Sequence, residues 1–244
     1  PYWFPGDATV SVDEMPEPVG SDDTREIRER RASYTEKIKL IDRYVGGLTE
    51  SLDRRGLTES TVIIFSSDHG DCLGDFGIWD KRYFYEYSCG VPLILAGSGV
   101  PSGERMNGPR VSKALVSHLD IYPTILSIAG IESPVSRERV GRDMIAMAKN
   151  RPDSFHDAVF AELSTSMMIR TANWKLVFDP EQGGVRYLYN MFADPNEESN
   201  LAGVAGYERV MAELTEKMLA HRIRRTQFSH VKEEQRLQSV RAGR

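Results

Sequence analysis

Three residues could do chemistry together: Asp68 and His69, in the segment Ser66-Ser67-Asp68-His69-Gly70, and Lys81 in the polar segment that follows. The Asp68 carboxylate suits hard cations such as Ca²⁺, Mg²⁺ or Mn²⁺, and the His69 imidazole suits Mn²⁺ or Zn²⁺ better than Mg²⁺. The Lys81 ammonium is a compact charge that could neutralise a tetrahedral oxyanion. Taken singly, an Asp-His-Gly sequence is usually a turn and a lysine a solvated residue, so the surrounding elements must decide.

Two apolar runs flank these residues and predict the strands that position them. Val62–Phe65 has no polar alternation, which is typical of a strand covered on both faces in a parallel sheet flanked by helices. Ligand sites in such sheets lie just beyond the carboxyl ends of the strands, where Asp68 and His69 follow. Val91–Ala96 predicts a second buried strand. The loop between them is polar and rich in glycine.

A long helix is predicted before the first strand. Asp23 and Glu26 form a plausible capping box, and Gly56 is a natural terminator. The apolar residues between them recur at spacings of three, four and seven, which predicts one stripe: Ile27, Tyr34, Ile38, Ile41, Val45, Leu48 and Leu52. We expect Gly46-Gly47 to permit close approach to the sheet, and the charges of 25–31 to form a solvated face. Helix and strand would form half of a right-handed βαβ crossover.

The segment after the second strand predicts a strand over Ala114–Val116 that leads into Asp120 as a helix cap. Pro123 would lie in the first turn of that helix, and Gly130 would end it. His118 is open to three interpretations, a substrate contact, a group beside metal ligands or a hydrogen-bonded structural histidine, of which we favour the last.

The pattern of apolar and turn residues changes near Arg151. Short strand-like runs separated by turn signals predict four strands: Ala158–Leu163, Met167–Thr171, Lys175–Phe178 and Arg186–Asn190. Gly183-Gly184 suits a hairpin loop. An amphipathic helix is predicted over Glu208–Arg222, followed by a charged, aperiodic tail, Phe228–Arg244, that would be disordered or would pack on a neighbouring subunit.

Composition excludes several classes of function. The 244 residues have a net charge of −5, which gives no reason to expect a nucleic-acid partner, and 40% are hydrophobic, as in ordinary soluble domains. No apolar run approaches the length of a membrane span. The two cysteines make no disulfide framework: Cys72 is expected to be buried, and a bridge to Cys89 is not expected.

The order of the motifs resembles the sulfatase family of the alkaline phosphatase superfamily, over roughly residues 31–202. The segments that carry the resemblance are Asp68-His69-Gly70, Leu73-Gly74-Asp75, Trp79-Asp80-Lys81, Tyr85-Glu86-Tyr87-Ser88, Val91-Pro92-Leu93-Ile94, Val116–Leu126, Trp174-Lys175-Leu176, Leu188-Tyr189-Asn190 and Asp194–Ala202. Three positions depart from the common pattern, namely Phe76, Asp80 and Gly90, and they blur the substrate subclass rather than the reaction.

The resemblance implies that Asp68 and His69 are two ligands of one divalent cation, with Ca²⁺ favoured and Mn²⁺ or Mg²⁺ open, and that Lys81 contacts the sulfate and takes part in catalysis. It implies two further parts, an aspartate pair on the metal and a Cys/Ser-x-Pro-x-Arg motif whose first residue becomes formylglycine, the nucleophile. Neither occurs in this sequence. We therefore expect the chain to be the C-terminal portion of a longer enzyme, with these parts in a missing N-terminal portion.

The fold class implied is α/β. Residues 1–150 would form the C-terminal part of an alkaline-phosphatase-like mixed or parallel sheet flanked by helices, residues 151–225 a small antiparallel-sheet subdomain with one packed helix, and residues 226–244 a charged tail. The subdomain is a feature that the resemblance and the strand pattern both indicate.

The function implied is hydrolysis of sulfate esters of small molecules or saccharides. Two alternatives stay open, a phosphonate or phosphate ester hydrolase of the same superfamily and an inactive truncated fragment. The chain alone is expected to bind divalent metal weakly and to hydrolyse nothing, because Asp68 and His69 supply only part of a coordination shell. A homo-oligomer is left open, and the sequence does not indicate a compartment.

Overall fold

The computed structural model describes residues 11–101, 111–131, 141–150 and 155–242. The chain divides into two compact units, Pro1–Val100 and Pro101–Arg244. The predicted domain boundaries at 150 and 225 stay predictions. The sequence also predicts that Tyr2, Trp3 and Phe4 pin an extended segment to a core, which we favour over their lining a cleft, but these three residues lie outside the described ranges. Over the described ranges, no helix is long and apolar enough to cross a bilayer.

The first unit contains helix α1 (Arg25–Arg54), strand β1 (Val62–Ser66), a single turn α2 (Glu86–Cys89) and strand β2 (Leu93–Gly97). The N-terminus of α1 differs from the prediction. The Thr24 side chain is the cap and accepts from the backbone N–H of Ile27 at 3.2 Å. Asp23 instead pairs with Arg28, so the predicted capping box is wrong. Gly56, at φ +66°, follows the end of α1 as predicted.

The surface of α1 departs from the expectations at three residues. A Cβ atom at Gly46 or Gly47 would meet nothing within 4 Å in the described structure, so these glycines serve no close approach to the sheet there. Arg25, Glu26, Glu29 and Arg30 are exposed, as expected of a solvated face, whereas Arg31 is buried. Its guanidinium donates to the carbonyl oxygens of Leu73, Pro16 and Glu17 and to the Asp75 carboxylate, so it joins α1 to two other segments.

Strands β1 and β2 form an antiparallel pair, in which Val62 faces Gly97 and Ser66 faces Leu93. The predicted parallel pairing is therefore wrong for β1 and β2. The predicted βαβ crossover stays a prediction, because its first strand would precede α1 and the described residues there contain no strand that tests it. The residues of β1 are half-buried, not covered on both faces, among the described residues. An uninterrupted apolar run favours burial on both faces, but it does not exclude an antiparallel neighbour.

The second unit contains α3 (Ile121–Ile128), α4 (Met144–Asn150), a four-stranded sheet and α5 (Glu208–Ala242). The predicted strand at 114–116 is absent, since these described residues have no regular structure. Asp120 caps the turn before α3: its carboxylate accepts from the backbone N–H of Ser117, within a capping box, at 2.7 Å. Gly130 follows α3 at φ +67°, as predicted.

The sheet of the second unit is an antiparallel meander in the order β3-β4-β5-β6: Ala158–Leu163, Ser166–Thr171, Trp174–Asp179 and Gly184–Asn190. All four predicted strands are confirmed, with small shifts at their ends. The core lies between this sheet and α5 and contains Ile169, Leu176, Leu188, Leu214 and Met218. Helix α5 continues to Ala242, so the predicted disorder of the charged tail from Phe228 is wrong, and its packing on a neighbouring subunit stays a prediction. A helix can form over a stretch that has no apolar periodicity. The fold class, a mixed α/β chain with an antiparallel-sheet subdomain and one packed helix, is confirmed.

Candidate functional site

Asp68, His69 and Lys81 meet just beyond the carboxyl end of β1. The Lys81 Nζ lies 2.7 Å from the His69 Nε2, and that Nε2 lies 3.3 Å from an Asp68 carboxylate oxygen. The structure thus brings together the three residues that the sequence singles out here. Lys81 and Asp68 are exposed, so the cluster is open to a ligand in the described unit.

The imidazole of His69 is oriented by the backbone carbonyl of the next residue, Gly70. Its Nδ1 lies 2.7 Å from the carbonyl oxygen of Gly70, which can only accept, so in neutral His69 Nδ1 carries the proton and Nε2 has a free electron pair. Ligating histidines in metal sites commonly make this second contact to a backbone carbonyl. The Ser67 hydroxyl also donates to the His69 carbonyl oxygen at 2.9 Å.

The arrangement of electron-pair donors favours a cation. The Nε2 lone pair of His69 and the Asp68 carboxylate face each other at 3.3 Å, which is unfavourable unless a positive charge lies beside both. The Lys81 ammonium supplies such a charge. A carboxylate oxygen and an imidazole nitrogen also fit a divalent cation, although the described residues contain no group of three or more His, Cys, Asp or Glu side chains that could hold one.

The pKa of the Asp68 carboxyl is lowered from its ordinary value. Partial desolvation opposes this shift, and it is outweighed by the hydrogen bond from the His69 backbone N–H and by the nearby charge of Lys81. Asp68 is therefore ionised at neutral pH, in the form that binds a cation.

The Asp-His-Gly segment packs tightly on α2. The Gly70 N–H donates to the Ser88 carbonyl oxygen at 2.8 Å. A Cβ atom at position 70 would lie 2.0 Å from the Tyr87 carbonyl oxygen, so only glycine allows this approach. Gly70 thereby holds the turn that presents His69.

The Lys81 backbone is held from both sides. Its N–H donates to the Asp80 carboxylate at 2.8 Å, and its carbonyl oxygen accepts from the Ser88 hydroxyl at 2.9 Å. Asp71 accepts from the backbone N–H groups of Leu73 and Asp80 and joins the two ends of the loop. Asp80 adopts φ +75°, a conformation that few residues other than glycine, asparagine and aspartate tolerate.

Aromatic residues support the same loop. Phe76 stands where the sulfatase pattern that the sequence resembles commonly has histidine. Its ring stacks on that of Tyr85, with ring centroids 4.3 Å apart. The guanidinium of Arg30, from α1, lies 4.5 Å from the centre of the Trp79 ring. Cys72 is fully buried, as expected, and neither Cys72 nor Cys89 forms a disulfide.

His118 lies in the second unit, exposed in the 3₁₀ turn His118–Asp120. Its role as a substrate contact stays a prediction. The neighbouring Asp120 is fully buried and accepts from His156 Nε2 at 2.9 Å and from the Arg142 N–H at 2.7 Å. This network orders the turn that carries His118.

Sequence reasoning missed the roles of Ser88 and Asp71. Ser88 stands inside a motif quoted for the resemblance, but nothing in its type or spacing indicates a contact with Lys81. Asp71 directly follows Asp-His-Gly, where an acidic residue reads equally well as a solvated turn residue. Only the folded loop shows which backbone groups these side chains reach.

Two protein-family models match the chain. The model described as sulfatase matches residues 6–131, and the model described as N-sulphoglucosamine sulphohydrolase, C-terminal, matches residues 74–224. Choline-sulfatase from Rhizobium meliloti (strain 1021) is 35% identical over 184 residues, which cover 72% of this chain and 34% of the relative.

Solved structures are similar over most of the chain. The structure of BT4656 in complex with its substrate D-glucosamine-2-N,6-O-disulfate matches with a TM-score of 0.71 at 25% identity, covering 82% of this chain and 41% of that chain. Phosphonate monoester hydrolase of Agrobacterium radiobacter matches with a TM-score of 0.71 at 27% identity, covering 82% and 42%. The chain spans less than half the length of each of these proteins.

Proposed function

Because the chain belongs to the sulfatase family of the alkaline phosphatase superfamily, we propose that it is the C-terminal portion of an enzyme that hydrolyses sulfate esters. The observation that carries the proposal is the convergence of the Asp68 carboxylate, the His69 Nε2 and the Lys81 ammonium at one point beyond β1. An anion-binding charge and two cation ligands at one point are what a metal-assisted ester hydrolase requires.

In this proposal Asp68 and His69 hold one divalent cation. Ca²⁺ is favoured because the Asp68 oxygen is a hard ligand, and Mn²⁺ or Mg²⁺ is compatible with the same pair. Such a cation, when bound, supplies a Lewis acid that polarises the ester oxygens. The contact from His69 Nδ1 to the Gly70 carbonyl keeps Nε2 available as the ligand atom. The remaining metal ligands and the formylglycine nucleophile are assigned to the part of the enzyme outside this chain.

Lys81 has a separate role toward the substrate. Its ammonium lies at the cation ligands, so it offsets the negative charge that develops on the ester oxygens as the bond to the leaving group breaks. The side chain is exposed, whereas its backbone is fixed by Asp80 and Ser88. A fixed backbone limits the positions that the ammonium can reach, which is the condition for charge stabilisation without reorganisation.

Lys81→Ala in the complete polypeptide that carries this chain tests the proposal. We expect kcat/KM for 4-nitrophenyl sulfate to fall by about 100-fold, the scale seen when one charge-stabilising donor is removed. Arg82→Ala is the matched control, because Arg82 is the adjacent exposed cation and is not one of the three side chains that meet beyond β1. Equal activities of the two variants would remove Lys81 from the mechanism.

A second candidate function is phosphonate or phosphate ester hydrolysis, which the similarity to phosphonate monoester hydrolase favours. The same three side chains would serve an ester of either anion. The ratio of kcat/KM for 4-nitrophenyl sulfate and 4-nitrophenyl phenylphosphonate decides between the two. Hydrolysis of neither ester by the complete polypeptide would favour the third hypothesis, an inactive fragment.

The substrate classes proposed are a small-molecule sulfate ester and a saccharide sulfate ester, by analogy with the named relatives. Choline sulfate, glucosamine 6-sulfate and 4-nitrophenyl sulfate form a panel whose kcat/KM values would rank them. His118→Ala belongs in the same panel. An increase in KM confined to one substrate would support His118 as a substrate contact, and unchanged values would leave it structural.

A further inference from the structure

We propose that Ser88 is a positioning residue that sets the distance between His69 and Lys81. The inference rests on the proposed function of this site, because it concerns how the site is held for that reaction. Ser88 contacts neither side chain directly. It acts on both through the backbone. The loop has two segments, here called arms, one that carries His69 and one that carries Lys81, and Ser88 is bonded to each of them.

The two arms are joined to different atoms of Ser88. Its carbonyl oxygen accepts from the Gly70 N–H at 2.8 Å, which holds the arm that carries His69. Its hydroxyl donates to the Lys81 carbonyl oxygen at 2.9 Å, which holds the other arm. Ser88 is 3% exposed, so both hydrogen bonds are protected from competition with water.

The surrounding packing makes Ser88 a rigid reference point. The close approach of Gly70 to the Tyr87 carbonyl fixes the His69 arm against α2. Ser88 lies in α2, and its own N–H donates to the Tyr85 carbonyl oxygen at 2.9 Å. The His69 arm is thereby held against α2, and the Ser88 hydroxyl ties the Lys81 arm to the same short helix. The bonds of Asp71 and Asp80 fix the Lys81 arm within the loop, whereas the Ser88 hydroxyl sets its position relative to the His69 arm and so contributes to the 2.7 Å separation of Nζ and Nε2.

Ser88→Ala separates the two roles, because it removes the hydroxyl and leaves the carbonyl. In the complete polypeptide we expect kcat/KM for the better of the two 4-nitrophenyl esters to fall about fivefold, as for one lost hydrogen bond that positions a charged group. The dissociation constant for Ca²⁺ should stay within about twofold of wild type, since Asp68 and His69 keep their supports. Ser88→Thr, which retains the hydroxyl, should recover most of the activity.

The matched control is Ser60→Ala. The Ser60 hydroxyl also donates to a backbone carbonyl, that of Leu57 at 3.1 Å, but in an exposed turn away from the loop. We expect no change in activity for this variant. A combined variant, Lys81→Ala with Ser88→Ala, distinguishes positioning from general damage. If Ser88 acts through Lys81, its removal should cost nothing further once Lys81 is absent.

A loss in Ser88→Ala no larger than that in Ser60→Ala would overturn the inference. So would an undiminished fivefold loss in the Lys81→Ala background. If the wild-type polypeptide hydrolyses neither ester, the proposed function fails while Ser88 is still tested by amide hydrogen exchange. We then expect Ser88→Ala to speed exchange at the Cys72 N–H, which is bonded to the Asp80 carbonyl, with the amides of β1 unchanged. Unchanged exchange at Cys72 would contradict the positioning role.

Discussion

The loop of residues 68–90 and the sheet β3–β6 are held in shape by different forces. In the loop, the side chains of Asp71, Asp80 and Ser88 bond to backbone groups of other loop residues. In the sheet, the shape is held by ladder hydrogen bonds between strands and by a buried apolar core against α5. Directional contacts can place a reactive side chain within tenths of an ångström, whereas apolar packing tolerates adjustment. The candidate site lies on the part of the chain whose backbone is held by side-chain hydrogen bonds.

Each region also contains one buried ion pair, and the two pairs differ in what they join. Arg31 and Asp75 lie 2.8 Å apart, and both also contact backbone groups of other segments, including the Val19 N–H. Lys175 and Glu197 lie 2.7 Å apart with side chains almost fully buried. The first pair links α1, the segment before it and the site loop, so the loop depends on it.

The largest expected effect is that of Arg31→Met. The substitution removes four hydrogen bonds and leaves the Asp75 carboxylate buried without its charge partner. We expect the free energy of unfolding to fall by about 3–5 kcal/mol, measured by urea denaturation. Arg25→Met is the control, since its ion pair with Glu29 is exposed and screened by water, and so contributes little to stability. Similar losses of unfolding free energy in the two variants would show that the buried Arg31–Asp75 pair stabilises the protein no more than an exposed ion pair does.

The next effect is that of Leu214→Ala in the core of the second unit. Leu214 packs with Leu176 and Leu188 between α5 and the sheet, so its truncation leaves a cavity. We expect a loss of about 3 kcal/mol in the free energy of unfolding. Leu219→Ala, at an exposed position of the same helix, should cost much less. Equal costs would show that α5 does not hold the sheet by apolar packing.

A smaller effect is expected from Thr24→Ala at the start of α1. The Thr24 side chain satisfies the Ile27 N–H, and loss of such a cap costs about 1 kcal/mol. Thr49→Ala is the control inside the same helix, where Thr49 bonds only to the Gly46 carbonyl and alanine is the better helix former. Stabilities measured by thermal unfolding should fall for the first variant and stay equal or rise for the second.

The smallest effect is a pH dependence of the second unit. Burial, followed by the charge of Arg225, lowers the pKa of His221 below its unfolded value of 6.5, with Arg224 and Arg222 adding to the shift and Glu162 opposing it. The ring stacks on Phe160 at 3.9 Å, and its Nε2 has no hydrogen-bond partner among the described atoms. Since the unfolded state binds the proton first, stability should be full above pH 6.5 and decline as the pH falls toward the lowered pKa.

His221→Phe tests this dependence, because phenylalanine keeps a stacking ring and cannot titrate. Urea midpoints of wild type and variant, measured between pH 7.5 and 5.5, should diverge as the pH falls, with the wild type losing more. Parallel curves would assign the acid sensitivity to other groups.

The predictions from sequence succeeded where a local signal decides the structure and failed where contacts made through the fold decide it. The four strands after Ala158 and most of α1 followed from apolar periodicity and glycine positions, which are local signals. The antiparallel pairing of β1 with β2, the burial of Arg31 and the bridging role of Ser88 did not follow. Each of these depends on residues that lie far apart in sequence and come together only through the fold.

By itself the sequence determined the order of the motifs after the first apolar strand, and this order indicated the family and the three side chains of the candidate site. It also determined the sheet of the second unit, through short strand-like runs separated by turn residues. Local propensity and motif order are sufficient for these because each depends on a short stretch of chain. Tertiary structure alone decided that His69 Nε2 and Lys81 Nζ lie 2.7 Å apart and that Ser88 joins their arms. Hydrogen bonds between remote backbone groups set such distances, and no local pattern of residue types encodes them.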